Sequence, residues 1–312
     1  MQFLKFKSLL PAAALAVLCS CSTFDEEKIT LDGERISVLD GETALQPDYA
    51  PGQVKIVLPA PYTNTAWSQN GGNAAHMMGH LSSDSKLKEL WESGFGEGSS
   101  KRDFLIAAPV SAHKAVFTID ADGIVNAFRL DDGRKIWKRR LKPLIKDDIS
   151  TSLKGAGLAV FDKKVYATTG FGAVFALDMV TGKKLWRYDT ELPIRIAPTA
   201  ERGVVFIQTI DNKLIALNGV DGSVLWDYKS PSEETTLVGG ASPAYSPQQD
   251  TIVAAFSNGE LRAFKASTGS PLWSDILVSR KRTNSPANIN AIKANPVIDG
   301  STVYAVGNNN IL

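Results

Sequence analysis

The sequence predicts an all-β fold of repeated four-stranded antiparallel sheets, arranged as the blades of a β-propeller, and three observations carry this prediction. A short motif recurs four times in one register, with a glycine six residues after an alanine and a tryptophan four residues after the glycine. Strand-like runs flank each glycine, and no convincing helix pattern lies between the motifs. Successive motif tryptophans are 49, 40 and 47 residues apart, which is typical of one four-stranded blade. The motifs are Ala127–Trp137, Ala176–Trp186, Ala216–Trp226 and Ala263–Trp273.

Each position of the motif has a physical reason. The glycine follows Asp or Thr in all four motifs and suits a hairpin turn with positive φ. The small alanine suits a place where neighbouring backbones come close. The tryptophan is a large apolar side chain that one blade presents to the next, and it can bury about 150–250 Å². We expect five tryptophans to act as structural blade-docking residues: Trp91, Trp137, Trp186, Trp226 and Trp273.

Residues 1–20 have the features of an export signal peptide. Lys5 and Lys7 precede about eleven apolar residues, which are too few to span a bilayer. The end of the run, residues 18–21, is similar to the lipobox of bacterial lipoproteins. This similarity implies cleavage before Cys21 and acylation of its thiol (palmitate) and of the new amino terminus, and several acyl chains would make membrane release negligible. Ser22 then favours the outer membrane, and an ordinary secretory signal with a chance cysteine is the alternative.

Residues 21–64 are expected to form a lipidated N-terminal tether, because they are polar and rich in turn residues. Two short apolar pieces, residues 36–39 and 54–58, are strand candidates within it. Cys19 would leave with the signal peptide and Cys21 would be acylated, so no disulfide is expected. The propeller domain is expected over residues 65–312.

The two edges of the repeat array differ from its middle. Trp91 ends a strand-like run that has no blade of its own before it, and in closed propellers such a strand usually completes the last blade. A fifth repeat begins at Pro296, and the sequence stops at Leu312 before another Ala–Gly–Trp motif. We therefore expect about four complete blades plus a partial one, from a truncated version of a longer ring.

The register of residues 176–186, Ala-Leu-Asp-x-x-Thr-Gly-Lys-x-x-Trp, resembles the PQQ-like repeat of quinoproteins. Together with the lipobox, it resembles the BamB family of eight-bladed propeller lipoproteins. Residues 33–39, 67–80 and 94–100 look like the alphaproteobacterial form of that family. The resemblance implies no enzyme activity and no cofactor. It implies a scaffold of the β-barrel assembly machinery (the BAM complex) at the outer membrane, which faces the periplasm and binds a POTRA domain of BamA, by β-augmentation.

The resemblance also implies a docking loop shortly after one blade tryptophan. Residues 192–195 lie there, just past Trp186. Leu192 and Ile194 would supply apolar anchors, and Arg195 would supply a bidentate donor. An ordinary strand leading into the next blade is the alternative. The family's second contact, acidic residues before the following blade, is not evident at residues 237–241.

Other function classes fit less well. The 34 basic and 33 acidic side chains leave no basic excess for a nucleic acid. Quinone-dependent dehydrogenases use the same repeat and are the enzymatic alternative. Enzymes of that type need a Ca²⁺ site of Glu, Asn and Asp, and they commonly have a vicinal disulfide. The mature chain has too few cysteines for that disulfide. An envelope propeller with another partner remains open.

Three further motifs have weak chemical signals. His76 and His80 have a zinc-like spacing, but no Glu lies between them and nearby glycines argue against a helix. Residues 94–101 lack the last glycine and the Gly-Lys-Ser/Thr ending of phosphate loops. The basic run 135–146 suits anionic lipid or a partner, or a solvated blade edge protected by charge.

Overall fold

The structure, a computed structural model, describes residues 49–50, 52–84, 86–101, 104–144, 155–233, 239–277 and 290–307. The chain divides into two units, residues 1–57 and 58–312. In the first unit, the described residues form turns and bends. The expected signal peptide, Cys21 and most of the expected tether lie outside the described residues. Within the described part of the chain, no helix is long and apolar enough to cross a membrane.

The second unit contains four four-stranded antiparallel sheets and one hairpin, each built from strands that are consecutive in the chain. Blade 1 contains β1 (Val110–Ala112), β2 (Ala115–Ile119), β3 (Ile124–Arg129) and β4 (Lys135–Arg140). Blade 2 contains β5 (Gly155–Phe161), β6 (Lys164–Thr169), β7 (Ala173–Asp178) and β8 (Lys184–Asp189). Blade 3 contains β9 (Thr199–Glu201), β10 (Val204–Gln208), β11 (Lys213–Asn218) and β12 (Val224–Lys229). Blade 4 contains β13 (Ala244–Ser246), β14 (Thr251–Ala255), β15 (Glu260–Lys265) and β16 (Pro271–Ile276), and β17 (Val297–Asp299) with β18 (Thr302–Tyr304) begins a fifth.

The turns between strands explain this regularity. His113 and Lys114 join β1 to β2 with φ of 50° and 62°, the paired positive values of a two-residue turn that matches strand twist. The motif glycines also have positive φ, as the sequence predicts; Gly182 has φ of 65°. In all four blades the motif alanine lies opposite the motif tryptophan, and the register shifts directly after it. This bulge accommodates the extra residue of the outer strand.

The hydrophobic core lies between blades. Each cluster of buried side chains draws on two consecutive blades, so that Phe117 and Val125 of blade 1 pack with Leu158 and Phe175 of blade 2. The same holds for blades 2 and 3, 3 and 4, and 4 and 5. A blade therefore buries its apolar faces only when a neighbour is present, as in other repeat folds.

Residues 67–76, which we name the crossing segment, touch all five blades. Their backbone exchanges hydrogen bonds with the first strand of four of them, through Ser111, Val160, Tyr245 and Ile298. The first strand of the remaining blade, β9, is held by the Gln69 side chain. Its amide N–H donates to the Ala200 carbonyl, and its amide oxygen accepts from the Ala200 N–H. This segment therefore fixes the spacing of the first strands.

The predicted fold class is confirmed: the chain is an all-β propeller array with four complete blades and part of a fifth among the described residues. The sequence also predicts a strand upstream of each motif, over residues 115–119, 164–168, 203–207 and 251–255, and the structure has β2, β6, β10 and β14 there. Two expected strands are absent from the described part. Residues 54–58 form no strand, and their apolar side chains are exposed. Residues 86–91, the run that ends at Trp91, also form no strand.

Candidate partner-binding surface

Consecutive blades are joined by one repeated contact between a tryptophan and a glycine. The Trp137 indole donates a hydrogen bond to the Met179 carbonyl at 2.9 Å and packs against Gly182. A Cβ atom on Gly182 would lie 2.6 Å from the indole ring, so only glycine fits there. Equivalent contacts join Trp91 to Leu130 and Gly133, Trp186 to Gly219 and Gly222, and Trp226 to Ala266 and Gly269.

Burial differs among these tryptophans. Trp186 is only 7% exposed and also packs against Tyr166, with ring centroids 5.8 Å apart. Trp273, on the outer strand of blade 4, is 41% exposed. Trp91 reaches blade 1 although residues 86–92 form no strand, so its docking depends on the indole rather than on sheet pairing.

The segment between β8 and β9 is held by hydrogen bonds to the two blades it connects. The Thr190 amide donates to the Gly172 carbonyl of blade 2 at 2.6 Å, and the Ile210 amide of blade 3 donates to the Pro193 carbonyl at 3.0 Å. Leu192, between these two points, is 40% exposed. An apolar side chain is therefore presented to solvent on a backbone that is fixed on both sides.

Ile194 does not have the position that the sequence analysis assigned to it. The side chain is fully buried and packs with Ala159, Val205 and Ile207 in the core between blades 2 and 3. Its backbone forms a bridge with Thr209. An anchor for a partner needs exposed surface, so this burial contradicts the expected contact role of Ile194. Leu192 and Arg195 stay candidates.

Arg195 lies at a cavity with two adjoining lobes. Both lobes are lined by Arg195, Ile196, residues 239–240 and Lys293, and their volumes are about 50 and 230 Å³. No Asp or Glu lines either lobe among the described residues. Because neither cationic side chain has a hydrogen bond or ion pair in the described part of the chain, the cavity carries uncompensated positive charge.

A third recess is lined by Leu192 and has three acidic side chains and one lysine, Lys213, in its lining. It has a volume of about 140 Å³, and its lining includes Asp189, Glu191 and Asp211. Burial raises the pKa of Asp211, but hydrogen bonds from Lys229 and Thr209 outweigh burial and leave that pKa below its usual value. Asp211 is therefore ionised at neutral pH. Exposed Leu192 belongs to this recess, whereas Arg195 belongs to the basic cavity.

The two histidines with zinc-like spacing are separate in the structure. His76 Nδ1 bonds the Pro296 carbonyl at 2.8 Å, and His80 Nδ1 bonds the Pro59 carbonyl at 2.7 Å. No group of three or more His, Cys, Asp or Glu that could hold a metal ion occurs among the residues described.

Four residues that shape this region have no recognisable signal in the sequence. Gln69 fixes β9, and Gln208, Ser257 and Lys293 line the basic cavity. Single polar residues in strands and turns carry no periodic signal, and residues from three blades meet only in the folded chain.

Comparison with known proteins identifies relatives of this chain. A family model described as outer membrane protein assembly factor BamB matches residues 121–312, which is more than half of the chain. The outer membrane protein assembly factor BamB of Moranella endobia is 24% identical over 228 residues, covering 72% of this chain and 58% of that protein. A quinoprotein alcohol dehydrogenase of Pseudomonas putida is 31% identical over 156 residues, covering 45% of this chain and 23% of the enzyme. The chain spans about half the length of the curated BamB relatives it matches.

A solved structure agrees with the fold. The crystal structure of BamB from Moraxella catarrhalis superposes with a TM-score of 0.54 at 18% identity, covering 71% of this chain and 61% of that one. At this identity the likeness concerns the fold alone.

Proposed function

Since this chain belongs to the outer membrane protein assembly factor BamB family, we propose that it is a non-catalytic scaffold in the assembly of outer-membrane β-barrel proteins. In this proposal it binds a POTRA domain of BamA and so joins the BAM complex. Leu192 and Arg195 form the contact. The observation that carries the proposal is the exposed Leu192 beside Arg195 on a segment hydrogen-bonded to two blades.

The chemistry of these two residues suits a protein interface. An exposed aliphatic side chain on a fixed backbone buries apolar area without a large entropic cost on binding. An arginine without an internal partner offers a planar fork of donors to a carboxylate or to backbone carbonyls. Apolar anchors and arginines carry much of the binding energy at interfaces.

The proposal is tested by capture of the periplasmic region of BamA on the full mature chain. We expect Leu192→Asp and Arg195→Glu each to weaken capture at least tenfold. Matched controls are Val220→Asp and Lys265→Glu. Both lie beside the motif turns, which strand register places at the opposite end of the blades from residues 192–195. Capture that is unaffected by the Leu192 and Arg195 changes would remove these residues from the interface, and no capture by the unaltered chain would contradict the partner.

The anchoring part of the proposal depends on Cys21. We propose that Cys21 is acylated after removal of residues 1–20, so that the chain is held at the outer membrane and faces the periplasm. Replacing this residue, Cys21→Ser, should move the protein from the membrane fraction to the soluble periplasmic fraction and should remove the acyl mass from the N-terminal peptide. Retention of Cys21→Ser in membranes would contradict acylation as the anchor.

A quinoprotein-like enzyme is the second candidate, because the Pseudomonas putida dehydrogenase is 31% identical over part of the chain. The described residues fit such a cofactor poorly, since neither lobe of the basic cavity has a carboxylate with which to hold Ca²⁺. Titration of the full chain with pyrroloquinoline quinone and Ca²⁺ tests this. Stoichiometric uptake followed by absorbance would favour the enzyme over the scaffold.

A further inference from the structure

Two polar side chains of the basic cavity, Gln208 and Ser257, each have one buried atom that has no hydrogen-bond partner among the described residues. The Gln208 side chain is 8% exposed, and its amide N–H donates to the Ala255 carbonyl at 3.1 Å. That bond sets the direction of the amide, and the Gln208 Oε1 atom on its other side has no hydrogen-bond partner. A buried acceptor without a donor is unfavourable, so a ligand that supplies a donor would be favoured.

Ser257 adds a free hydroxyl beside this acceptor. Its amide donates to the Asn212 side chain at 3.1 Å, and Asn212 in turn donates to the Pro231 carbonyl at 2.7 Å. These bonds fix the turn between β14 and β15. The Ser257 Oγ atom is buried and has no hydrogen-bond partner. Ser257 lines the same lobe as Gln208, Arg195 and Lys293.

The cavity thus has several hydrogen-bond donors and one acceptor, and an anion without a donor group cannot satisfy both. Arg195, Lys293 and the Ser257 hydroxyl are donors that suit a carboxylate, whereas Gln208 Oε1 needs a donor. Sulfate, which is fully ionised at neutral pH, would bring only acceptor oxygen atoms towards Gln208. A peptide brings both groups, because its carboxylate accepts and its backbone N–H donates. The small lobe, about 50 Å³, is of a size for one carboxylate group, and the larger lobe of about 230 Å³ leaves room for the adjoining chain.

We propose that the basic cavity, both lobes of which are lined by Arg195 and Lys293, binds a carboxylate carried by a peptide chain. Arg195 and Lys293 neutralise its charge, Ser257 donates to one oxygen, and Gln208 accepts from a backbone N–H of the same peptide. The carboxylate belongs to an acidic side chain or to a chain terminus, which have the same chemistry. This site is distinct from Leu192, which does not line either lobe.

The test uses three fluorescently labelled peptides of serine and alanine and the full mature chain. The first ends in a free carboxylate, the second has an amidated end and one internal Glu, and the third has an amidated end and Gln in place of that Glu. Fluorescence anisotropy should show saturable binding of at least one of the first two and at least tenfold weaker binding of the third. The peptide that binds identifies the source of the carboxylate. Equal binding of all three, or binding of none, would overturn the proposal.

Variants identify the residues responsible. Lys293→Gln should weaken carboxylate-peptide binding at least tenfold, and Ser257→Ala should weaken it by a smaller factor. Lys265→Gln removes an exposed charge outside the cavity and should leave binding unchanged. Unchanged binding in Lys293→Gln would overturn the proposed site. Arg195 serves both proposals, but their tests are distinguishable, because Leu192→Asp should impair BamA capture without changing peptide binding.

Discussion

The Trp137 indole nitrogen donates a hydrogen bond to the carbonyl oxygen of Met179, in the next blade, at 2.9 Å. This bond ties the outer strand of one blade to the motif turn of the following one. Because the same contact recurs along the array, the stability of the chain should resemble a sum of interfaces between neighbours. Loss of one tryptophan should then weaken two blades locally.

The first prediction compares two motif tryptophans. Trp186→Ala should lower the free energy of unfolding by about 3–5 kcal/mol, because it leaves a cavity between blades 2 and 3 and removes the bond to the Gly219 carbonyl. Trp273→Ala should cost less than half as much, since 41% of that side chain is exposed. Urea unfolding followed by circular dichroism measures both. Equal costs would show that the contact between blades does not determine the stability.

The second prediction separates backbone strain from close packing at the turns. Gly203 and Gly182 both have positive φ, of 79° and 65°, so an alanine at either position should cost about 1–2 kcal/mol. A Cβ atom on Gly203 would meet no atom within 4 Å, whereas one on Gly182 would overlap the Trp137 ring. Gly182→Ala should therefore destabilise the chain clearly more than Gly203→Ala in the same unfolding assay. Similar losses would mean that the indole moves aside without cost.

The blades could be predicted from the sequence because each one is local. The alanine, glycine and tryptophan of a motif lie within eleven residues, and the glycine turn alone sets which residues pair. This is why β2 and β14 have the predicted bounds. The same local information could not place Ile194, because an apolar residue at the start of a blade looks the same whether it faces the core or a partner.

The crossing segment could not be predicted for a different reason. Gln69 and Ala200 are 131 residues apart, and residues 67–76 show neither strand alternation nor helical period. Their hydrogen bonds depend on the first strands of five blades being brought side by side. The basic cavity has the same origin, since Arg195 and Lys293 meet only after blades 3, 4 and 5 have packed.

The third prediction concerns Gln69 in the crossing segment. Its side chain is 1% exposed, donates to the Ala200 carbonyl at 3.3 Å and accepts from the Ala200 amide at 2.9 Å. Gln69→Leu would leave both groups of Ala200 buried without partners, which should cost about 2–5 kcal/mol. Hydrogen exchange at the Ala200 amide should accelerate. Asn70→Ala, which removes only a side-chain bond to Ser242, should leave that exchange unchanged, and slow exchange in Gln69→Leu would contradict the assigned role.

The last prediction is a dependence of stability on pH that originates at His76. Burial lowers the pKa of His76 from its ordinary value of 6.5 and outweighs the hydrogen bond with the Pro296 carbonyl, which raises it. Its Nε2 atom is buried without a partner, so the native state favours the neutral ring. As the pH falls below 6.5 the unfolded chain takes up the proton first. The native state should therefore lose stability from that pH downward, until the lower pKa of the folded state is passed.

A variant isolates this effect. His76 has φ of 58°, which asparagine tolerates better than most residues, so His76→Asn keeps the backbone while removing the titrating ring. Between pH 7 and pH 5 the urea midpoint of the unaltered chain should fall more steeply than that of His76→Asn. His80→Asn is the matched control and should keep the steep fall, because it leaves the buried His76 ring and its bond to the Pro296 carbonyl in place. The same slope in the unaltered chain and in His76→Asn would mean that His76 protonates as easily in the native state as in the unfolded chain, which the burial of this ring against the Pro296 carbonyl argues against.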